Sequence, residues 1–226
     1  MPLYKFDGIS KTPTYIGSSV ICSFLGLNVL ITAAHVLKDI LPDIPWYPYS
    51  ENEFRPLPYI EIGILEDDYD IGICTLKSIS ELYDPINSIT FGEFSKEDNY
   101  HHLIIGCPAT TTKGSNKTIQ KISFEGYLTN TSLESEYVRL KVKNEDKFVL
   151  EFQKENVFKE NRTKNVFYNP YGMSGGAVLQ FCDENPSLFQ LVGIIIEWDP
   201  HRKNAIICTK IEKVIENFKV SRIDKT

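Results

Sequence analysis

Short runs rich in Val, Ile, Phe, Tyr and Thr recur along almost the whole chain, and clusters of Gly, Pro, Asn and Asp separate them. β-branched and aromatic side chains suit a pleated, half-buried surface, so this rhythm restricts the chain to an all-β barrel or sandwich architecture. The runs "SSVICSFLG", "NVLITA", "YIEIGILE", "DIGICTL", "HHLIIGC", "ISFEGYL", "YVRLKV", "FVLEF", "GAVLQF", "FQLVGIIIEW" and "NAIICTKI" read as strands. They are too many for one small barrel. The polar stretch "EFSKEDNYH" is a natural linker between an N-terminal unit, residues 1–95, and a C-terminal unit, residues 96–226. Residues 37–58 carry five prolines and read as an irregular excursion. One helix is expected at the C-terminus, where Thr209 and Glu212 have capping-box spacing and Ile211, Val214, Ile215 and Phe218 form an apolar stripe.

With 226 residues the chain is long enough for a substantial core, and 42% hydrophobic with 24% charged residues is an ordinary globular balance. The net charge of −6 is spread without a basic run, which argues against nucleic acid as a partner. The first residues, "MPLYKFDGIS", lack a charged segment followed by an apolar one, and there is no uninterrupted apolar stretch of membrane-spanning length. The expectation is a cytoplasmic protein that does not engage a membrane. Five cysteines, each in or beside an apolar segment, suit reduced thiols. Without CxxC or HxxH spacing neither a metal site nor a cofactor is expected.

Three segments can carry chemistry. In "GMSGGAV", residues 172–178, three glycines surround Ser174, the mark of a shaped turn. A serine hydroxyl becomes a nucleophile only beside a base oriented by a third group. His35 ends the strand-like "VLITAAH", where the small alanines allow a tight turn that leaves the imidazole at a cleft edge; alone, it better suits a hydrogen-bonded histidine at a strand end. His101, His102 and His201 stand in polar surroundings and read as surface residues. Asp70, before the apolar strand "IGICTL", is placed to accept the other imidazole N–H; Asp67 and Asp68 read as solvated turn residues.

In chain order, "TAAH", then "DIG" with an apolar strand, then "GxSGG" closely resembles the active-site signature of trypsin-like, chymotrypsin-fold serine peptidases. The resemblance spans roughly residues 14–218, with "LIIGCP", "LVGIIIEW" and "AIICTKI" adding to it. It implies two six-stranded antiparallel β-barrels forming one peptidase domain, the first carrying His35 and Asp70, the second Ser174. It further implies Ser174 as nucleophile, His35 as general base and acid, Asp70 as orienting carboxylate, and the amides of Gly172 and Ser174 as the oxyanion hole.

Two departures narrow the resemblance. Met173 stands where digestive members have an aspartate that pairs with a newly cut N-terminus, and Val36 replaces the half-cystine that follows their catalytic histidine. "NPYGMSGG" is closer to the bacterial HtrA-like pattern, and both departures suit a reducing compartment. Tyr168 stands where trypsin has its pocket-floor aspartate, which leaves no support for cleavage after Lys or Arg. Ile196, Glu197 and Trp198 are expected to line the substrate cleft, pairing an extended peptide by strand addition. Trp198 either narrows the primary pocket or packs in the body; Glu197 either meets a basic substrate residue or is solvated. The expected function is a serine endopeptidase making limited, regulatory cuts in a protein or peptide substrate, with regulation coming from loops, self-association or a regulatory protein partner. The alternative is a catalytically silent module of the same fold that binds a peptide or protein.

Overall fold

A computed structural model describes residues 1–6, 13–24, 26–50, 53–66, 69–77, 90–109, 124–152, 170–199, 201–202 and 204–223. The first part of the chain forms β1 (Pro2–Phe6), β2 (Pro13–Ser18), β3 (Val20–Phe24), β4 (Leu27–Ala33), α1 (Ala34–Ile40), β5 (Trp46–Ser50), β6 (Glu53–Pro56), β7 (Tyr59–Glu66) and β8 (Ile71–Leu76). These strands make two four-stranded antiparallel sheets, ordered β2-β1-β5-β6 and β3-β4-β8-β7. The remainder forms β9 (Thr90–Phe91), β10 (Tyr100–Gly106), β11 (Glu125–Thr129), α2 (Glu134–Leu140), β12 (Lys147–Glu151), β13 (Ala177–Cys182), β14 (Asn185–Trp198), β15 (Ala205–Lys210) and α3 (Ile211–Ile223). Its strands make one sheet, ordered β11-β10-β13-β14-β15-β12, with the short β9 lying parallel to β14.

Curled, mostly antiparallel sheets are what the strand-rich sequence predicts. The strands alternate as the pleat requires: β10 runs half-buried, half-buried, buried, half-buried, buried, half-buried, buried. Two apolar clusters hold the sheets together. One contains Leu30, Val36, Leu37 and Ile73 from the first part of the chain and continues into Leu191, Ile194, Ile196, Ile211, Val214 and Phe218 from the second. The other lies within the second part, around Phe148, Val149, Leu150, Met173 and Val192. Because the first cluster crosses the 93–101 linker, burial itself drives the two sheet systems together, at roughly 25 cal/mol per Å² of apolar surface removed from water.

Four local readings are corrected. "YVRLKV" is not a strand: α2 occupies Glu134–Leu140, with Tyr137 buried while neighbouring Val138 is exposed, so the alternation seen in the sequence has no sheet to serve. Glu136 bonds Arg139 one turn on, and Lys141, at φ +55°, ends the helix in the left-handed conformation. The proline-rich excursion contains the end of α1 and both β5 and β6; Pro56 lies on the edge strand β6 and Pro48 beside a register shift in β5, places where a missing N–H is tolerated. Thr209 does not cap α3: it is a fully buried β15 residue whose hydroxyl donates to the Tyr69 carbonyl at 2.5 Å, tying the two parts of the chain together. The apolar stripe of α3 is packed as expected, with Ile211, Val214 and Phe218 buried. His102 is not on the surface; it is completely buried, its Nε2 lying 3.2 Å from Oε1 of Gln180.

Candidate active site

The histidine side of the site starts from a helix-end problem. The first N–H groups of α1 have no partner within the helix, and Ala33, at its N-cap, supplies no side-chain acceptor. Asp70 supplies both. Its backbone carbonyl accepts the Ala34 N–H at 2.9 Å, and its Oδ1 accepts the His35 N–H at 2.9 Å. Its other oxygen, Oδ2, lies 2.7 Å from Nδ1 of His35. One carboxylate therefore holds both the backbone and the ring of His35, and its charge sits favourably at the positive end of the helix. Asp70 reaches this position with φ +56°, a left-handed conformation that a short polar side chain tolerates. The hydrogen bond to Asp70 raises the His35 imidazole above its ordinary value of 6.5, against partial burial, and Asp39 and Glu197 add smaller electrostatic support.

The serine side is built from two consecutive turns. Met173 N–H donates to the Pro170 carbonyl at 2.9 Å, and Gly176 N–H to the Met173 carbonyl at 2.8 Å. The third residue of each turn is a glycine at positive φ, Gly172 at +92° and Gly175 at +85°, while Tyr171 and Ser174 before them are not left-handed. This is the signature of type II turns, which need glycine at that position. Space demands glycine as well: a Cβ on Gly175 would lie 1.9 Å from the Ser18 carbonyl oxygen. Under the turns Met173 is buried in the second apolar cluster, its side chain against Gly106. An apolar anchor thus occupies the place where a buried carboxylate would need a counter-charge.

The backbone amides of residues 172–176 divide cleanly. Met173, Gly175 and Gly176 each donate, the second to the Ile195 carbonyl at 2.7 Å. Gly172 and Ser174 have no hydrogen-bond acceptor for their N–H among the described residues. The Ser174 hydroxyl donates to the Ile196 carbonyl at 3.2 Å. That carbonyl is available because the β14–β15 register shifts between Ile195 and Glu197, leaving Ile196 as the extra residue of a bulge.

His35, Asp70, Gly172, Ser174, Ile196, Glu197 and Trp198 all line one cleft of about 690 Å³. The Ile196 side chain turns into the core while its carbonyl serves the cleft; Glu197 is exposed. Trp198 lines the cleft and meets Phe152 edge to face at 6.2 Å. Tyr168 lies outside the described residues. Sequence reading missed Tyr15, Asp39, Ala109 and Tyr171, which share the cleft. No local pattern marks them, since they come from a strand, helical residues and a turn that meet only in the folded chain.

Comparison with solved structures speaks to the fold. The chain is similar to a structure described as "Structure of GrC", granzyme C, a trypsin-like serine protease, with a TM-score of 0.62 over 98% of this chain and 92% of that one. The fold is chymotrypsin-like. At 11% identity the likeness concerns the fold alone. No family model matches the chain, and no curated protein matches it in sequence. In this chymotrypsin-like chain the described cysteines form no disulfide, and Val36, beside the histidine, is fully buried. Among the described residues no helix is long and apolar enough to cross a membrane.

Proposed function

We propose that this chain is a serine endopeptidase in which Ser174 is the nucleophile, His35 the general base and then acid, Asp70 the orienting carboxylate, and the Gly172 and Ser174 amides the oxyanion hole. The observation that carries this reading is the division of amides in the serine turns: the two N–H groups without acceptors among the described residues are those flanking Met173, in the cleft that also holds the His35–Asp70 pair. Donors held ready, with no partner to surrender, stabilise the charge that develops on a scissile carbonyl oxygen.

The chemistry follows from the geometry. Rotation about the Ser174 Cα–Cβ bond releases Oγ from Ile196 and brings it to His35. The imidazole takes the hydroxyl proton as Oγ adds to the carbonyl carbon, and returns it to the leaving amine as the acyl-serine forms; water then repeats the cycle. Asp70 keeps the proton on Nδ1 and stabilises the imidazolium. A protein or peptide segment is the substrate, laid along the Ile196–Trp198 edge, with Glu197 toward solvent. The apolar seat of Met173 supports the likeness to HtrA-like bacterial enzymes, which need no new N-terminus. We further read the enzyme as a cytoplasmic one making limited regulatory cuts, in answer to a partner or trigger; broad digestion of unfolded casein by the purified protein would contradict this.

One observation favours the second reading, a silent binding module: the Ser174 hydroxyl is bonded to Ile196 rather than to His35. A fluorophosphonate probe separates the two. Labelling of the wild type that vanishes in Ser174→Ala supports the peptidase; no labelling across a range of pH and added peptides supports the binder.

A further inference from the structure

Type I and type II turns differ by rotation of their middle peptide through roughly half a turn. In the turn Pro170–Met173 that middle peptide joins Tyr171 to Gly172 and carries the Gly172 N–H. In a trans peptide the carbonyl and the N–H point opposite ways, so whatever holds the Tyr171 carbonyl also aims the Gly172 amide. The Ala109 N–H holds it, at 2.8 Å. The flipped turn would put the Tyr171 oxygen where the amide now points, an acceptor in place of a donor.

Ala109 stands three residues past the end of β10, and what keeps this segment against the turn is a group from the other sheet system. The β2 residue Tyr15 places its hydroxyl in hydrogen-bond contact with the carbonyls of both Cys107 and Gly172. Ser18, three residues on and almost fully buried, backs it up. Its Oγ lies 3.2 Å from the tyrosine oxygen and 3.4 Å from the Gly172 oxygen, and accepts the Cys107 N–H at 2.9 Å. Two hydroxyl protons thus serve two carbonyls, one on the segment leading to Ala109 and one in the turn. The Ser18 N–H also donates to the Ser174 carbonyl at 2.8 Å. The ring closes the remaining space, since a Cβ on Gly172 would meet both Tyr15 Cε1 and the Ala109 nitrogen at 2.8 Å.

We propose that the Tyr15 hydroxyl, backed by Ser18, is a latch from the N-terminal sheet that holds the Tyr171–Gly172 peptide in its type II orientation. Tyr15 is a positioning residue: it sets whether the oxyanion donor is presented, without touching the reacting carbonyl. The inference rests on the oxyanion role given to Gly172, and its structural half can be read without turnover.

The test uses Tyr15→Phe, which removes only the hydroxyl, and Ser18→Ala, which leaves Tyr15 with its single proton. Each is assayed for thermal stability, for amide exchange at Ala109, and for kinetics on a peptide that the wild type cleaves. The expected result for folded Tyr15→Phe is faster exchange at Ala109 and a kcat lower by up to about tenfold, the range set by one ordinary hydrogen bond, with KM within about twofold. Affinity for a peptidyl boronate, which mimics the tetrahedral oxyanion, should fall in parallel with kcat while affinity for product peptide stays. Ser18→Ala should change the same quantities in the same direction by less, and stands in if Tyr15→Phe does not fold. Unchanged Ala109 exchange in the folded variants overturns the latch. Faster exchange with wild-type boronate affinity and kcat overturns its link to the oxyanion site. If the wild type shows no serine reactivity at all, the peptidase reading fails, and exchange at Ala109 still decides the latch.

Discussion

The two halves of the site are held in different ways. On the histidine side one residue does nearly everything: Asp70 ends the orphan amides of α1 and grips the ring, through contacts made within a single sheet and its adjoining helix. On the serine side no single residue suffices. Two glycine turns set the path, Met173 anchors it from below, and β2 of the other sheet system clasps it from above. The first arrangement is local and survives small shifts between the sheet systems. The second exists only when both systems have docked, so under the proposed function the serine side is where assembly of the fold would control chemistry.

Breaking each half tests this contrast. The largest effect is expected from Asp70→Asn, which preserves the shape but reverses the hydrogen-bonding sense at Nδ1: turnover should fall about 10⁴-fold, equivalent to about 5.5 kcal/mol of barrier, with little change in peptide affinity. Wild-type kcat/KM should rise with pH along a limb lying above 6.5, because His35 acts only when neutral and Asp70 raises its pKa; in the variant that limb should move down. A calorimetric or denaturant comparison should then show Met173→Ala destabilised by about 2–5 kcal/mol, the cost of emptying a packed site, with fluorophosphonate reactivity lost along with the turn.

A second comparison sharpens the first, between His35, half exposed and raised, and His102, buried and pushed down to about 4 against its bond to Gln180. The His102 ring lies against Phe94 at 5.1 Å. Above pH 6.5 neither the folded nor the unfolded chain protonates this ring, and its neutral burial is fully compatible with the fold. Between 6.5 and about 4 the unfolded chain binds a proton that the folded one refuses, so stability falls as pH drops, by on the order of 3 kcal/mol across the window. Equilibrium unfolding at pH 7 and pH 4.5 should show the loss, and His102→Gln should reduce it. A loss of unchanged size in that variant would place the acid sensitivity elsewhere.

Much of this site was legible before any fold was drawn. "TAAH", "DIG" and "GMSGG" each contain a residue type whose chemistry needs a special backbone: a strand end, a left-handed carboxylate, paired glycine turns. His102 was misjudged because the surrounding polar residues speak only for the local stretch, whereas its burial comes from Phe94 on the linker and Gln180 on a neighbouring strand. The same reason explains Thr209, whose spacing from Glu212 fits a helix cap but whose hydroxyl found Tyr69 across the molecule.

The sequence by itself determined the strand-rich class, the order of the histidine, aspartate and serine segments and the glycines at Gly172 and Gly175, because side-chain periodicity and backbone sterics act over a few residues. Only the tertiary structure decided which amides went without partners, that Met173 would be an anchor rather than a neighbour, and that Tyr15 would reach the Gly172 carbonyl 157 residues away in sequence. Such contacts depend on where two sheet systems come to rest against one another, and that is settled by the burial of a shared core that no short stretch encodes.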